Sequence, residues 1–165
     1  MKVVADATPL IVLAKIGLLD LLPKLNPRVH ISTEVYSEVV VAGAGLPGAS
    51  QVAQAKWIEV KPMQHPGDLS AAQARFGLGL GELSTILLAK EIGATMVLID
   101  EARGRHLAKQ KGIEVRGTVG ILENLFRRRE IEDLRSVFEK LLAHQVHLDR
   151  DLLNRRLHLF GLPAL

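Results

Sequence analysis

The sequence predicts an α/β fold with a central parallel β-sheet, on two observations. Short strand-like segments alternate with helical segments along nearly the whole chain. The most strand-like of them, Val3–Ala5 and residues 95–99, are almost entirely apolar, as expected of strands buried on both faces of a parallel sheet. With 48% hydrophobic and 24% charged residues, the composition is that of a folded domain. We expect one domain over residues 1–165, with a helical C-terminal part at about residues 132–165.

The first half of the chain opens with the strand Val3–Ala5, which ends at Asp6. Thr8 as N-cap and Pro9 in the first helical position then predict a helix that runs to residue 22, the residue before a proline. Five further elements follow, in the order strand, helix, helix, strand and helix, over residues 28–31, 34–42, 49–55, 57–60 and 68–76.

The second half begins with a glycine-rich stretch, residues 77–81, that leads into a helix over residues 82–92. Gly93 stops this helix in the position typical of a C-cap. The strand at residues 95–99 follows and ends at Asp100. The rest of the chain predicts a helix, a strand and three helices, over residues 102–111, 113–115, 117–129, 132–144 and 149–160.

The residue types that the chain lacks exclude several kinds of site. It contains no Cys, which excludes disulfide scaffolds, zinc–thiolate sites and cysteine nucleophiles. Only 4% of the residues are aromatic, so few side chains are suited to stacking on bases. The start of the chain does not resemble a signal peptide, and its most apolar helix, interrupted by Lys15 and Asp20, is shorter than the ~20 residues that span a bilayer. We therefore expect a cytoplasmic protein without a membrane partner.

The basic residues are unevenly distributed. The net charge is +3, and the basic excess lies after Asp100, in Arg103, Arg105 and the run 127–129 among others. Such residues form either a solvated helix face or a surface that contacts phosphates. The sequence leaves both interpretations open.

Carboxylates follow the two best strands. Asp6 ends the first strand and Asp100 ends the strand at residues 95–99. Ligands of parallel α/β folds bind at the carboxyl ends of the strands, and an acid placed there is costly unless it is solvated, paired or bound to a metal. Glu38, within a predicted helix, and Glu82, at the start of another, provide acids in comparable positions.

These acids are typical ligands of Mg²⁺ or Mn²⁺, because no Cys and no paired His accompany them. Such ions can activate a water and neutralise the transition state of a phosphodiester. Each acid also has a structural interpretation. Asp6 and Asp100 could cap the helices that follow them. Glu82 could be a favourable charge at a helix N-terminus, Glu38 could pair with a surface Lys, and Glu101 could be an acid of the next helix's first turn.

Four segments carry these acids in a fixed order: Val3-Val-Ala-Asp-Ala-Thr-Pro-Leu10, Ile31-Ser-Thr-Glu-Val-Tyr-Ser-Glu38, Leu78-Gly-Leu-Gly-Glu82 and Val97-Leu-Ile-Asp-Glu101. Together they resemble the motifs of the PIN-domain superfamily, a group of metal-dependent nucleases. The adjacent acids Asp100 and Glu101, followed by Arg103-Gly-Arg105, are similar to a VapC-like bacterial and archaeal branch, although that branch more often has Asp in the second position.

The resemblance implies a three-layer α/β/α sandwich with an acidic pocket at the strand ends. It implies that four catalytic acids hold Mg²⁺ or Mn²⁺, namely Asp6, Glu38, Glu82 and Asp100. Glu101 is a further candidate ligand. Thr8 would bind a ligand water or a phosphate oxygen, and Arg103 and Arg105 would hold the RNA backbone, or else be surface charges at a helix start.

The resemblance further implies a metal-dependent endoribonuclease that is the toxin of a type II toxin–antitoxin module, with RNA as substrate, an antitoxin as partner and a homodimeric state. The apolar stretch at residues 152–165 is a candidate dimer interface or simply the last core helix. The alternative function is a non-catalytic PIN-like module that binds RNA or a protein. A P-loop is disfavoured because the glycines at residues 77–81 are not followed by Lys and Ser or Thr.

Overall fold

The computed structural model describes residues 1–165 and contains a five-stranded, fully parallel sheet in the order β3-β2-β1-β4-β5. The strands are β1 (Val3–Ala5), β2 (Val29–Ser32), β3 (Ile58–Lys61), β4 (Met96–Leu98) and β5 (Glu114–Arg116). The strand β1 therefore lies at the centre, between β2 and β4. The predicted α/β class and parallel sheet are confirmed.

Ten α-helices surround the sheet: α1 (Ala7–Lys15), α2 (Leu22–Leu25), α3 (Thr33–Tyr36), α4 (Ala49–Gln54), α5 (Gly67–Phe76), α6 (Leu80–Ile92), α7 (Ala102–Gln110), α8 (Thr118–Arg127), α9 (Leu134–Ala143) and α10 (Arg150–Leu159). A 3₁₀ turn, Leu19–Leu21, precedes α2, and a π-helical segment, Ser37–Ala42, continues α3. None of the helices combines the length and the apolar character that crossing a bilayer demands.

The strands send alternate side chains into two apolar layers, one on each face of the sheet. In β1, Val3 and Ala5 belong to the larger core and Val4 to the smaller one. The helices α1, α8, α9 and α10 contribute to the larger core, and α5, α6 and α7 to the smaller one. Because both faces are covered, β1 and β4 are apolar at every position, and the three-layer arrangement is confirmed.

The first helical region was predicted as one helix with Thr8 as its N-cap, and the structure differs on both points. Asp6 occupies the N-cap position with an extended backbone, and α1 begins directly after it. The helix breaks near Gly17, whose φ of +74° is a left-handed conformation that favours glycine. Pro23 then lies in the first turn of α2, where its missing N–H costs nothing, instead of ending a helix.

The last helix, α10, is mostly a core element. Leu153 and Leu157 are fully buried, whereas Leu159 is 68% exposed. Glu123 of α8, which is only 3% exposed, forms a two-pronged ion pair with Arg156 of α10 at 2.5 and 2.7 Å. This pair raises the pKa of the Arg156 guanidinium and joins the C-terminal helix to the larger core.

Candidate active site

The two strand-end aspartates lie at the same edge of the sheet because β1 and β4 are neighbours. Ala5 is in register with Leu98, and the backbone N–H of Asp6 donates to the carbonyl of Leu98 at 2.9 Å. Asp6 directly follows β1, and Asp100 follows β4 after one residue. The sheet order thus brings together two acids that are far apart in the sequence.

Glu38 and Asp6 converge on Gly81, in the first turn of α6. A methyl group placed on Gly81 would lie 2.8 Å from Glu38 Oε2 and 2.9 Å from Asp6 Oδ1. Any side chain at this position would therefore displace both carboxylates. Glu38 reaches this point from the π-helical segment, a widened helical turn of the kind that often occurs at functional sites.

Asp6 is the most strongly perturbed acid of the site. It is 3% exposed, and its Oδ1 atom is buried without a hydrogen-bond partner. Burial raises the pKa of Asp6 to about 7 against the opposing effect of the nearby Ala7 backbone N–H, and the charges of Glu82, Glu38 and Asp100 raise it further. The side chain does not cap α1 by a hydrogen bond, so helix capping does not explain its position.

Glu38 and Glu82 face a surface groove of about 730 Å³. Glu38 is exposed, yet partial burial and then the charge of Glu82 raise its pKa. It forms none of the ion pairs of the structure, so the surface pair considered for it does not occur. Glu82 is half-buried, and its Oε2 would lie 2.5 Å from a methyl group on Gly79.

Asp100 is held by Thr118, at the first position of α8. The backbone N–H of Thr118 donates to Asp100 Oδ1 at 2.7 Å, and its hydroxyl donates to Oδ2 at 2.6 Å. Thr118 is itself buried. Asp100 therefore accepts hydrogen bonds from the first residue of α8 and does not cap α7. Sequence reasoning missed Thr118, although its place at a predicted helix start was the available signal.

Glu101 is the residue that caps α7. Its carboxylate accepts a hydrogen bond from the Gly104 backbone N–H at 2.7 Å, and the residue is exposed. This hydrogen bond supports the interpretation of Glu101 as an acid of the helix start. Its carboxylate is engaged at the helix end.

Of the three side chains expected to contact RNA, Arg105 and Thr8 lie near Asp100. Arg105 Nη1 and Asp100 Oδ1 both lie next to Gly117, 3.1 and 2.8 Å from a methyl group placed there. Arg103 is exposed and donates to the Phe76 carbonyl at 3.1 Å. Thr8 is exposed and lines, with Asp100, Thr118 and Lys15 among others, a cleft of about 260 Å³.

The chemistry of the acids fits a hard divalent cation. All four offer only carboxylate oxygens, and the unpartnered Asp6 oxygen is available as a ligand. A cation would also stabilise the charged form of Asp6, whose pKa is raised by burial first and by the charges of the neighbouring acids second. As the side chains stand, however, no three acidic or His residues surround one point. Asp6 and Glu38 converge, whereas Asp100 is turned to Thr118.

The chain matches the model of a known family. The model of the family DUF3368, described as a PIN domain, matches residues 2–162. No curated protein matches the chain.

Proposed function

Since the chain belongs to the PIN-domain family, we propose that it is a metal-dependent endoribonuclease that cleaves RNA phosphodiester bonds. PIN domains are generally nucleases, and the chain has this fold. One observation carries the proposal: the Asp6 carboxylate is buried with an unpartnered oxygen that converges with Glu38 on Gly81. An uncompensated buried acid is costly, and a bound cation is the partner that would stabilise it.

Four side chains would hold Mg²⁺ or Mn²⁺: Asp6, Glu38, Glu82 and Asp100. Bound there, such an ion supplies a Lewis acid that activates a water and neutralises charge on the phosphodiester. Thr118 is a positioning residue in this proposal, since it holds both oxygens of Asp100. Arg105, beside Asp100, would bind a phosphate of the RNA, with Arg103 and Thr8 as outer contacts.

The groove suits recognition of the RNA backbone more than of the bases. Its lining contains no aromatic residue, so bases have no ring to stack on there. Its acids would repel phosphates unless a cation offsets their charge. RNA binding in the groove should therefore depend on the divalent ion.

Cleavage of a labelled single-stranded RNA mixture tests the proposal. The protein is incubated with Mn²⁺, Mg²⁺ or EDTA, beside Asp6→Asn and, as a matched control, Asp151→Asn on the exposed start of α10. We expect cleavage with metal only, its loss in Asp6→Asn, and full activity in the control. Undiminished cleavage by Asp6→Asn, or cleavage in EDTA, would refute the assignment of the site.

A non-catalytic PIN-like module that binds RNA or a protein is the second candidate. Two observations favour it. The acids as placed do not surround one point, and Thr118 donates to both oxygens of Asp100. Thermal unfolding separates the two candidates. Stabilisation by Mn²⁺ without cleavage of any RNA in the mixture would support the binding module.

We extend the proposal to a toxin of a type II toxin–antitoxin module, in which an antitoxin covers the acidic groove. The support is the resemblance of the Asp100–Arg105 segment to the VapC-like branch, together with an apolar groove rim. Leu80 lines the groove and is exposed, and Val41, also exposed, adjoins the groove residue Ala42. Induced expression should arrest growth, and co-expression of the adjacent reading frame should restore it. RNA cleavage in vitro without growth arrest would indicate a nuclease that is not a toxin.

A homodimer is the remaining part of the proposal. Leu152 and Leu159 are exposed on α10 and offer apolar surface to a second copy. Light scattering after gel filtration measures the mass of the wild-type protein and of Leu159→Asp. We expect a dimer that Leu159→Asp dissociates; a monomeric wild type would overturn this part alone.

A further inference from the structure

A second polar cavity lies apart from the acids, against β2. It has a volume of about 560 Å³. Its polar lining comes from the segments that flank or form β1, β2 and β3: Lys2, Asn26, Arg28, His30, Glu59 and Lys61. None of the four acids of the candidate active site lines it. A ligand bound here would therefore not touch the proposed catalytic machinery.

Two buried side chains in this cavity have unsatisfied polar atoms. Asn26 and His30 are each 6% exposed, and Asn26 Nδ2 and His30 Nδ1 have no hydrogen-bond partner. The carboxylate oxygen of Glu59 is 3.7 Å from His30 Nδ1, which is too long for a hydrogen bond. Besides Asp6 Oδ1, these are the only buried side-chain atoms of the protein without a partner. Buried polar groups are normally paired, so a ligand that accepts hydrogen bonds is indicated.

Cations outnumber acids around these two groups. Lys2, Arg28 and Lys61 face His30, whose pKa they help to lower, after burial as the main cause and against the charge of Glu59. Glu59 pairs with Arg28 and with Lys61, each at 3.2 Å. One carboxylate thus faces three cations, and Arg28 keeps most of its side chain exposed to solvent.

We propose that this cavity binds a phosphate monoester. The amide of Asn26 and the ring N–H of a neutral His30 would donate to its oxygens. Arg28 would add a charge-assisted hydrogen bond, and Lys2 would add charge from the cavity wall. A doubly charged group matches the excess of two positive charges that Lys2, Arg28 and Lys61 leave over Glu59. The group is common to free mononucleotides and to the 5′ end of an RNA chain.

Calorimetric titration of the full chain in EDTA tests this, because the proposal needs no metal. The probes are inorganic phosphate, adenosine monophosphate, a short 5′-phosphorylated oligoribonucleotide and the same oligoribonucleotide with a 5′-hydroxyl. Binding of the mononucleotide would identify a free-nucleotide site. Binding of the 5′-phosphorylated oligoribonucleotide alone would identify a site for an RNA end.

Two variants and a matched control assign the binding to the cavity. Asn26→Asp keeps the shape but replaces the N–H donor with an acceptor, and Arg28→Ala removes an exposed cation without disturbing the core. We expect each to weaken binding about tenfold or more. Arg150→Ala, which removes an exposed cation from α10, and Asp6→Asn should bind as the wild type does.

Should Asn26→Asp fail to fold, nuclear magnetic resonance of the wild type provides a second readout. We expect a saturating probe to shift the Asn26 side-chain amide and the His30 ring signals. Absence of binding by every probe at millimolar concentration would overturn the proposal and leave a cavity filled by water. Binding that Arg28→Ala does not weaken, and that shifts neither the Asn26 nor the His30 signals, would also overturn the proposal. Neither result bears on the nuclease, since the site residues differ.

Discussion

Thr118 donates two hydrogen bonds to Asp100, one from its backbone N–H at 2.7 Å and one from its hydroxyl at 2.6 Å. The contact joins the end of β4 to the start of α8, and both oxygens of the acid are used. A hydrogen bond to an ionised group contributes about 1.5–3 kcal/mol. The pair therefore orients a candidate metal ligand and stabilises the helix that follows β5.

Replacement of this hydroxyl should lower activity while the fold is kept. We expect Thr118→Val to destabilise the protein by about 1–2 kcal/mol and to weaken Mn²⁺ binding and RNA cleavage, because Asp100 loses one of its two restraints. Urea unfolding and Mn²⁺ titration measure the two effects. Thr118→Ser, which retains the hydroxyl, should behave like the wild type. Equal Mn²⁺ affinity in Thr118→Val would show that Thr118 has a structural role only.

Gly81→Ala should impair the site without harming the helix. The added methyl group would lie within 3 Å of Glu38 Oε2 and Asp6 Oδ1, so both carboxylates would have to move. Ala is favoured over Gly in helices by up to about 1 kcal/mol, so stability should be unchanged or raised. We expect cleavage to fall at least about tenfold, which corresponds to about 1.4 kcal/mol in the barrier.

Gly67→Ala is the matched control for this substitution. A methyl group there would meet nothing within 4 Å, so activity should not change. Wild-type cleavage by Gly81→Ala would mean that the convergence of Asp6 and Glu38 does not matter to the reaction.

The stability of the metal-free protein should depend on pH through Asp6. Burial raises the pKa of Asp6 from its ordinary value of 3.8 to about 7, so between these values the folded state keeps a proton that the unfolded state has lost. The free energy of unfolding should fall by an amount on the order of 4 kcal/mol as the pH rises from about 4 to about 7. It should stay at this lower value at higher pH.

Asp6→Asn removes this titration. In EDTA the variant should be more stable than the wild type at pH 8 and should lose that advantage near pH 4. Thermal unfolding across this range measures the difference. A constant difference at all pH values would argue against a raised pKa for Asp6.

The ion pair of Glu123 and Arg156 should be essential to the C-terminal helix. Arg156→Met leaves the buried carboxylate of Glu123 unpaired, and we expect a loss of about 3 kcal/mol in the free energy of unfolding. The double variant Glu123→Leu/Arg156→Met should recover most of it, because no charge is then left buried. Urea unfolding of the three proteins measures this recovery; a double variant no more stable than Arg156→Met would contradict the prediction.

The sequence was sufficient to predict the features that depend on local pattern. The apolar run Val3–Ala5 indicated a buried strand, and Gly93 marked the end of α6, where the chain takes a left-handed conformation. The break at Gly17 was missed, because the apolar residues on both sides of it fit one continuous helix. Local propensity does not decide where a helix stops when the pattern continues.

The acids were predictable because strands that end in Asp are visible in the sequence. The contact of Thr118 with Asp100, 18 residues away, and the convergence of Asp6 and Glu38 on Gly81 were not predicted. Both are contacts that no spacing rule describes. The same holds for the unpartnered atoms of Asn26 and His30, which are unusual only because neighbouring elements bury them.

The sequence by itself determined the alternation of strands and helices and the acids that end the strands, since hydrophobic periodicity and capping act over a few residues. Only the tertiary structure decided that β1 lies between β2 and β4, and hence which side chains meet. Strand order, burial and the electrostatic environment of Asp6 depend on contacts between distant segments. Those contacts form when helices pack on both faces of the sheet and bury its central strands.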